Sequence, residues 1–500
     1  MANASGPAAE GFIAGEFTHE ASGVHYKVTQ EGGKVWLSYS RENAAADRSM
    51  SGREELKYFI GSGRRGRTYL FGKQGYWFEA PINWYGKKKL WDIAPNLQLA
   101  REMPMTLAVD PGCLHCHASD VARSLPEARN LYAGEPFAHG GITCGVCHGD
   151  ARAHVASEGK AYMMNIDRLA PAQRDSVCLN CHLEGETAVV RQGKRIEDFA
   201  PGDDLFDYAE YFVYRSENGA GGRATSQWEA LSRSECKRKS GERMTCTTCH
   251  DPHGTPGPEE RVEFYRAKCL QCHAKRGFAE RHHPEERDCS GCHMARPSAN
   301  DIAHEQVTDH WIRRRISNRR EVEATSGELA PVSGSAADER DLGLAYASMA
   351  LRGNQKAGSR ALKLLQRAEK AEGGARRDHE LHENLGFLEQ VNGETGLAAE
   401  EYERALAADP FDATAAGDLA LIEVKEKRYA DAERLWHGIF ERDPAEISTG
   451  MNLAILECAA GEGDSAMATL ERVLEFSPDQ EKARGMLLAI EAGRQRCGAK

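Results

Sequence analysis

Cys246-Thr247-Thr248-Cys249-His250-Asp251-Pro252-His253 places two thiols three positions apart, an imidazole directly after the second, and a further imidazole three residues on. The first five residues are one copy of a pattern that occurs six times between residues 113 and 293. The other copies are Cys113-Leu-His-Cys116-His117, Cys144-Gly-Val-Cys147-His148, Cys178-Leu-Asn-Cys181-His182, Cys269-Leu-Gln-Cys272-His273 and Cys289-Ser-Gly-Cys292-His293. Cys-x-x-Cys-His is the attachment pattern of a c-type haem. The two thiols form thioethers to the porphyrin, and the His reaches the iron as its proximal ligand. Paired Cys-x-x-Cys units also close structural zinc sites, but zinc does not require a His after every second cysteine. Six covalent c haems are the expected cofactors.

Twelve of the fifteen cysteines belong to these motifs, which leaves no pool for a disulfide framework. Of the three others, Cys458 falls on an apolar helical face and reads as a core residue, Cys497 lies near a frayed terminus, and Cys236 has no assigned role. The net charge of −12 is uneven. Residues 1–320 carry 43 Lys and Arg against 42 Asp and Glu, whereas residues 321–500 carry 21 against 34. No concentrated basic face suggests a nucleic-acid surface. No apolar run reaches the length of a transmembrane helix. The N-terminus has neither the basic start nor the apolar stretch of a signal peptide. Haem attachment takes place outside the cytoplasm, so a periplasmic or extracellular protein is expected, its export signal absent from this chain.

Outward from the motifs, the chain reads as four segments. Residues 1–105 are β-rich. Val24, Tyr26 and Val28 alternate with polar residues, Gly32-Gly33 turns the chain, and Val35, Leu37 and Tyr39 alternate again. A second hairpin is expected from Thr68–Phe71 through Gly72–Gly75 to Tyr76–Phe78. Trp36, Trp77, Trp84 and Trp91 are expected to fill a small core. Gly61-Ser-Gly63-Arg-Arg-Gly66 matches a dinucleotide-binding fingerprint, but the next residues, Arg67–Phe71, read as strand where that site needs a helix. Residues 106–320 are expected to form a hexahaem domain of short helices and irregular chain, in which the haems supply much of the buried surface. Residues 321–335 read as a linker. Residues 336–500 repeat with a period of 34: Leu385, Leu419 and Leu453; Ala398, Ala432 and Ala466; Tyr402, Trp436 and Leu470; Pro410, Pro444 and Pro478. That is the tetratricopeptide pattern of paired helices, expected to end in a solvating helix over 481–495. The fold class is therefore multi-domain: a β-rich start, a haem-packed α and irregular middle, and an all-α solenoid.

A six-coordinate iron needs a second axial ligand. Histidines outside the motifs cluster near them, and those expected to serve as distal ligands are His139, His154, His253, His283, His304 and His310. His282 is the alternative to His283; His19 and His115 are weaker candidates.

Phe17-Thr-His19-Glu-Ala-Ser-Gly-Val-His25-Tyr26, Cys246-Thr-Thr-Cys-His-Asp-Pro-His253 and Cys289-Ser-Gly-Cys-His-Met294…Val307-Thr-Asp-His310 resemble multihaem c-type cytochromes fused to tetratricopeptide repeats. These are related to the cytochrome that accepts electrons in hydroxylamine oxidation and to doubled Cys-x-x-Cys-His proteins. The resemblance implies that His253 and His310 are distal ligands. Such proteins often carry a further haem motif ahead of the position of Phe17, and this chain has none there. The expected function is electron relay, with redox partner proteins and another protein docked on the repeats. The alternative is an oxidoreductase acting on a small nitrogen or sulfur compound at one five-coordinate haem.

Overall fold

The structure is a computed structural model of the full chain, described at residues 12–42, 48–61, 66–215, 226–274, 282, 285–296, 308–314, 327–371 and 377–498. It has an N-terminal β region, an irregular middle with short helices, and a C-terminal run of helix pairs. It divides into two compact units, Met1–Thr143 with Glu369–Lys500, and Cys144–Ala368. The units thus do not follow linear order: the β region shares a unit with the later repeats, and the first repeat shares one with haem motifs two to six. Among the described residues, no helix is long and apolar enough to cross a membrane.

In the first unit, strands Gly15–His19, Val24–Glu31, Lys34–Arg41 and Met50–Leu56 form an antiparallel meander. Val28 pairs with Leu37 and Glu31 with Lys34, so the alternating apolar side chains share the buried face. Both turn glycines, Gly32 and Gly33, have positive φ (59° and 77°), as a two-residue hairpin turn of the primed type requires. A second sheet holds Tyr58–Ile60, Gly66–Lys73, Tyr76–Tyr85 and Leu90–Ile93, with Leu107–Ala108 on Tyr76–Tyr85. Its hairpin turns at Gln74-Gly75; Gly72 lies within the strand, opposite Trp77. Gly66, the last of the fingerprint-like glycines, begins the strand Gly66–Lys73, where a dinucleotide site needs a helix. Trp77, Trp84 and Trp91 are buried. Trp36 departs from the expectation: it lies on the outer face, with the Arg53 guanidinium 4.3 Å from its ring centre.

The helix pairs His379–Val391 with Thr395–Ala408, Ala413–Lys425 with Tyr429–Arg442, and Ile447–Ala460 with Gly463–Phe476 follow the 34-residue period, and Glu481–Glu491 closes the stack. Ala398, Ala432 and Ala466 are fully buried, as close helix approach demands. A Cβ on Gly386 would come within 2.7 Å of the Tyr402 ring, which accounts for the glycine before that large residue. The β region packs on the connections at the C-terminal end of this stack. Phe476 joins its core, edge-on to Tyr76 and Phe78. Arg41 pairs with the fully buried Asp479 carboxylate, which also accepts from the Met103 amide at 2.7 Å. Tyr76 donates to the Arg442 carbonyl, and Thr106 to the Phe476 carbonyl at 2.8 Å.

One expectation is corrected here. Cys458 is not an unpaired core thiol: it forms a disulfide with Cys497 and ties the chain after the last helix to Ile447–Ala460. The apolar pattern around Cys458 signalled burial, which is observed, and concealed the partner 39 residues away.

In the second unit, Thr187–Val190, Ala209–Tyr214 and Leu329–Pro331 form an antiparallel sheet. The third strand lies in the segment expected as linker. The helix Glu339–Leu351 is held to this sheet by Arg340, which donates to the Val190 carbonyl at 2.8 Å, and by Tyr346, whose hydroxyl accepts from the Leu329 amide at 2.8 Å. The pair Glu339–Leu351 and Gln355–Ala371 is the irregular first repeat.

Candidate functional site

Each of the six motifs sits on a helix: Pro111–His117, Cys144–His148, Pro171–His182, Cys246–Cys249, Arg261–His273 and Cys289–His293. Helical spacing puts residues three apart on one face, so both thiols of a motif point to the same side. Local capping sets where several of these turns begin. Asp110 accepts from the Gly112 amide with Pro111 in the first turn, Asp288 accepts from the Gly291 amide, and Thr245 and Thr248 cap the fourth motif reciprocally.

The first motif belongs to the β-containing unit. Burial, with the Glu79 and Asp110 carboxylates nearby, pushes the Cys113 thiol up to about 12. His139 lies on the strand Phe137–Gly140, which pairs with Ala118–Val121, and its Nδ1 is 3.0 Å from the Asp120 carboxylate. His19, a weaker candidate, has both ring nitrogens engaged, with the Ser22 hydroxyl at 2.9 Å and the Gln98 carbonyl at 3.0 Å.

The other five motifs converge in the second unit. Cys147 and Cys178 are electrostatic neighbours, Cys178 and Cys246 share a hydrogen bond, and Cys269 lies beside Cys289 and Cys249. Burial and these neighbours push the Cys269 thiol up to about 11. Cys236 joins the Cys249 and Cys272 neighbourhood without belonging to a motif.

Three pairs of histidines face one another. His148 and His253 have ring centres 5.9 Å apart and planes within 11°. His250 and His310 are 6.0 Å apart. His282 and His293 are 5.6 Å apart with Nε2 atoms at 3.4 Å, so these two rings meet end on. Two nitrogens that each bond one metal ion at about 2.0–2.1 Å stand about 4 Å apart, with ring centres near 6 Å. The Nδ1 atoms are turned the other way. His148 Nδ1 meets the Met164 carbonyl at 2.8 Å, His293 Nδ1 the Arg313 carbonyl at 2.7 Å, and His310 Nδ1 the Thr308 carbonyl at 2.9 Å. A carbonyl holds the proton on Nδ1 and leaves the Nε2 lone pair for a metal. Burial lowers the pKa of His182, His250 and His310, a shift toward the neutral imidazole that ligates. Arg313 Nε is buried without a hydrogen-bond partner, a donor suited to a carboxylate such as a haem propionate. Thiol pairs, opposed imidazoles and an orphaned guanidinium donor are together a donor set that fits haem.

Of the expected distal ligands, His253 and His310 thus each face a motif histidine. His154 lies in the helix Arg152–Ala156 with Nδ1 on the Ala161 carbonyl at 2.7 Å. His283 and His304 lie outside the described residues. His293 is faced by His282, the alternative to His283. Sequence also concealed which motif each of these histidines faces: His253 is three residues from His250, yet stands opposite His148. No local signal encodes that pairing. A buried cluster of Glu369, His382 and Glu401 was likewise not anticipated. Arg404 reaches both carboxylates, at 2.9 and 2.7 Å, and His382 meets Glu401 at 2.7 Å, so the cluster is an ion-pair network.

Comparison with known proteins agrees with two of these segments. Residues 239–278 match the doubled CXXCH motif family, and residues 423–490 match the tetratricopeptide repeat family. The former carries the haem-binding cysteine pattern and the latter a protein-interaction repeat. No curated protein matches the chain. Solved structures similar to part of it include MamA AMB-1 (23% identity, 31% of this chain and 82% of that chain, TM-score 0.27). MamA 41-end from Desulfovibrio magneticus RS-1 is another (16% identity, 32% and 88%, TM-score 0.28).

Proposed function

We propose that this chain is an exported hexahaem c-type cytochrome that relays electrons, with its repeats docking a redox partner protein. The three opposed histidine pairs carry this reading. Haem, when bound, supplies a one-electron iron couple. The residues of the chain do the rest: the thiol pairs fix the porphyrin, the motif histidines and their opposite numbers ligate from both sides, and the Met164, Thr308 and Arg313 carbonyls orient the rings. Two imidazoles on one iron leave no place for a substrate, which favours relay over catalysis. The proximal set is His117, His148, His182, His250, His273 and His293. The distal set is His253, His310 and His282 on the geometry above, and His139, His154 and His304 on sequence. Six motifs support six haems, and thioether attachment together with the Cys458–Cys497 disulfide supports an oxidising, extracytoplasmic compartment.

The test is the spin state of the oxidised protein. Relay predicts six low-spin haems and no ready binding of cyanide or nitric oxide. A substantial high-spin fraction would overturn pure relay and favour the oxidoreductase with one open haem.

A further inference from the structure

The segment 308–313 is fastened at two haem-ligand sites that are not consecutive in sequence. His310 faces His250 of the fourth motif. Three residues on, the Arg313 carbonyl takes the Nδ1 proton of His293 of the sixth motif at 2.7 Å, and the Arg313 amide donates to the His293 carbonyl at 3.0 Å. Between these ends, Trp311 is clamped by two guanidiniums, Arg233 at 3.9 Å and Arg313 at 4.1 Å from its ring centre. Ser234 bonds both sides of the tryptophan, donating to the His310 carbonyl at 3.1 Å and accepting from the Ile312 amide at 2.8 Å. Asp309 holds Arg313 at 2.7 Å, and its amide donates to the Ala295 carbonyl at 2.7 Å, just past the sixth motif. The segment is short and bonded at nearly every residue, so one end does not move without the other.

We propose that residues 308–313 form a strap coupling the fourth and sixth haem sites, with Trp311 as its positioning residue. The proposal rests on the bis-histidine reading above. The Trp311 ring meets the two guanidiniums. It sets the strap's position, and the strap sets both the distal imidazole at site four and the hydrogen bond behind the proximal imidazole at site six. A carbonyl on Nδ1 raises the basicity of a ligating histidine. Greater basicity favours the oxidised iron, so loosening that bond raises the potential of site six. Sites four and six are then neighbours in the relay although motif five lies between them in sequence.

The test is Trp311→Ala in the full haem-loaded chain, read by electron paramagnetic resonance and spectroelectrochemical titration. Single variants His310→Ala and His282→Ala assign the signals beforehand, since each opens one site. The expected result is a change at two sites together: altered or partly high-spin signals at site four, and an upward shift at site six equal to a tenfold change in its reduced-to-oxidised ratio, about 59 mV for one electron. Trp311→Phe, which keeps a ring between the guanidiniums, is expected to restore both. A change at only one site, at neither, or at all six would overturn the strap. If Trp311→Ala fails to accumulate, Arg233→Gln removes one side of the clamp and must meet the same two-site criterion. Failure of the underlying reading looks different: the unsubstituted chain would carry fewer than six thioether haems or lack low-spin bis-histidine signals.

Discussion

Asp479 is the residue whose loss most directly tests whether the β region and the repeats fold as one unit. Its side chain is fully buried, paired with Arg41, itself only 7% exposed, and it caps the Met103 amide. Asp479→Ala leaves the Arg41 charge buried and the Met103 donor orphaned. Breaking a buried ion pair from one side costs about 3–5 kcal/mol. Arg41 retains the Ser22 carbonyl at 3.1 Å and the Arg48 carbonyl at 2.7 Å, which places its share at the low end. The orphaned amide adds about 1–3 kcal/mol, so a total of about 4–6 kcal/mol is expected. For a unit of this size, above 250 residues, each kcal/mol lowers the melting temperature by somewhat under 2 °C, so the fall is roughly 7–10 °C. Differential scanning calorimetry supplies the temperature, and hydrogen exchange supplies the location. Strands Val24–Glu31 and Tyr76–Tyr85 and helices Ile447–Ala460 and Gly463–Phe476 should lose protection together. Arg41→Met with Asp479→Leu, which removes both charges, should recover most of the loss. A drop below about 1 kcal/mol, or loss of protection in the β strands with the last repeats unchanged, would refute the single-unit argument.

Three further outcomes rest on the same structure. Acid–acetone extraction should leave six haems per chain with the protein; fewer than five, or zinc by metal analysis, would remove the relay. Burial beside Asp412 raises Glu383 from 4.5 to about 7. Its neutral form is favoured in the fold, so its contribution is full below about pH 4.5 and is lost as pH rises through about 7, a cost of roughly 3 kcal/mol at pH 8; the repeats should melt lower at pH 8 than at pH 5, and Glu383→Gln should flatten the difference. Cys497→Ser should destabilise the first unit by about 4 kcal/mol on the loop-entropy argument for a 39-residue separation, read as a lower denaturation midpoint.

Periodic features were legible in the sequence because they repeat a local physical requirement. The buried face of Val24, Tyr26 and Val28 follows from alternation alone, and Ala398, Ala432 and Ala466 from the need for helices to approach. The haem motifs were legible because thioether chemistry fixes the cysteine spacing. What was not legible depends on long-range closure. Nothing near Arg41 announces a partner 438 residues away, nothing near Cys458 announces Cys497, and His282 and His283 are identical to any local rule. Trp36 was misplaced for the opposite reason: its residue type argues for the core, but strand alternation with Val35 and Leu37 puts it outside, where Arg53 covers it.

This closure alters how the repeats must be probed. A chain ending near Arg320 looks, from the sequence, like a clean separation of cytochrome from docking module. It would in fact remove Leu329–Pro331 from the sheet beside Thr187–Val190 and Ala209–Tyr214, and would strip Phe476 and Asp479 from the core of the β region. Loss of partner binding in such a chain would not distinguish a missing docking surface from a collapsed scaffold. Point changes at exposed positions of the repeat helices do distinguish them. Leu421 and Ile455 lie 34 residues apart at the same repeat position, are solvent-exposed, and take no part in the packing against the β region. Leu421→Ser with Ile455→Ser should leave haem content and melting temperature unchanged and weaken partner capture if the repeats dock a protein there. Unchanged capture would move the docking surface elsewhere on the chain without disturbing the assignment of the haem ligands.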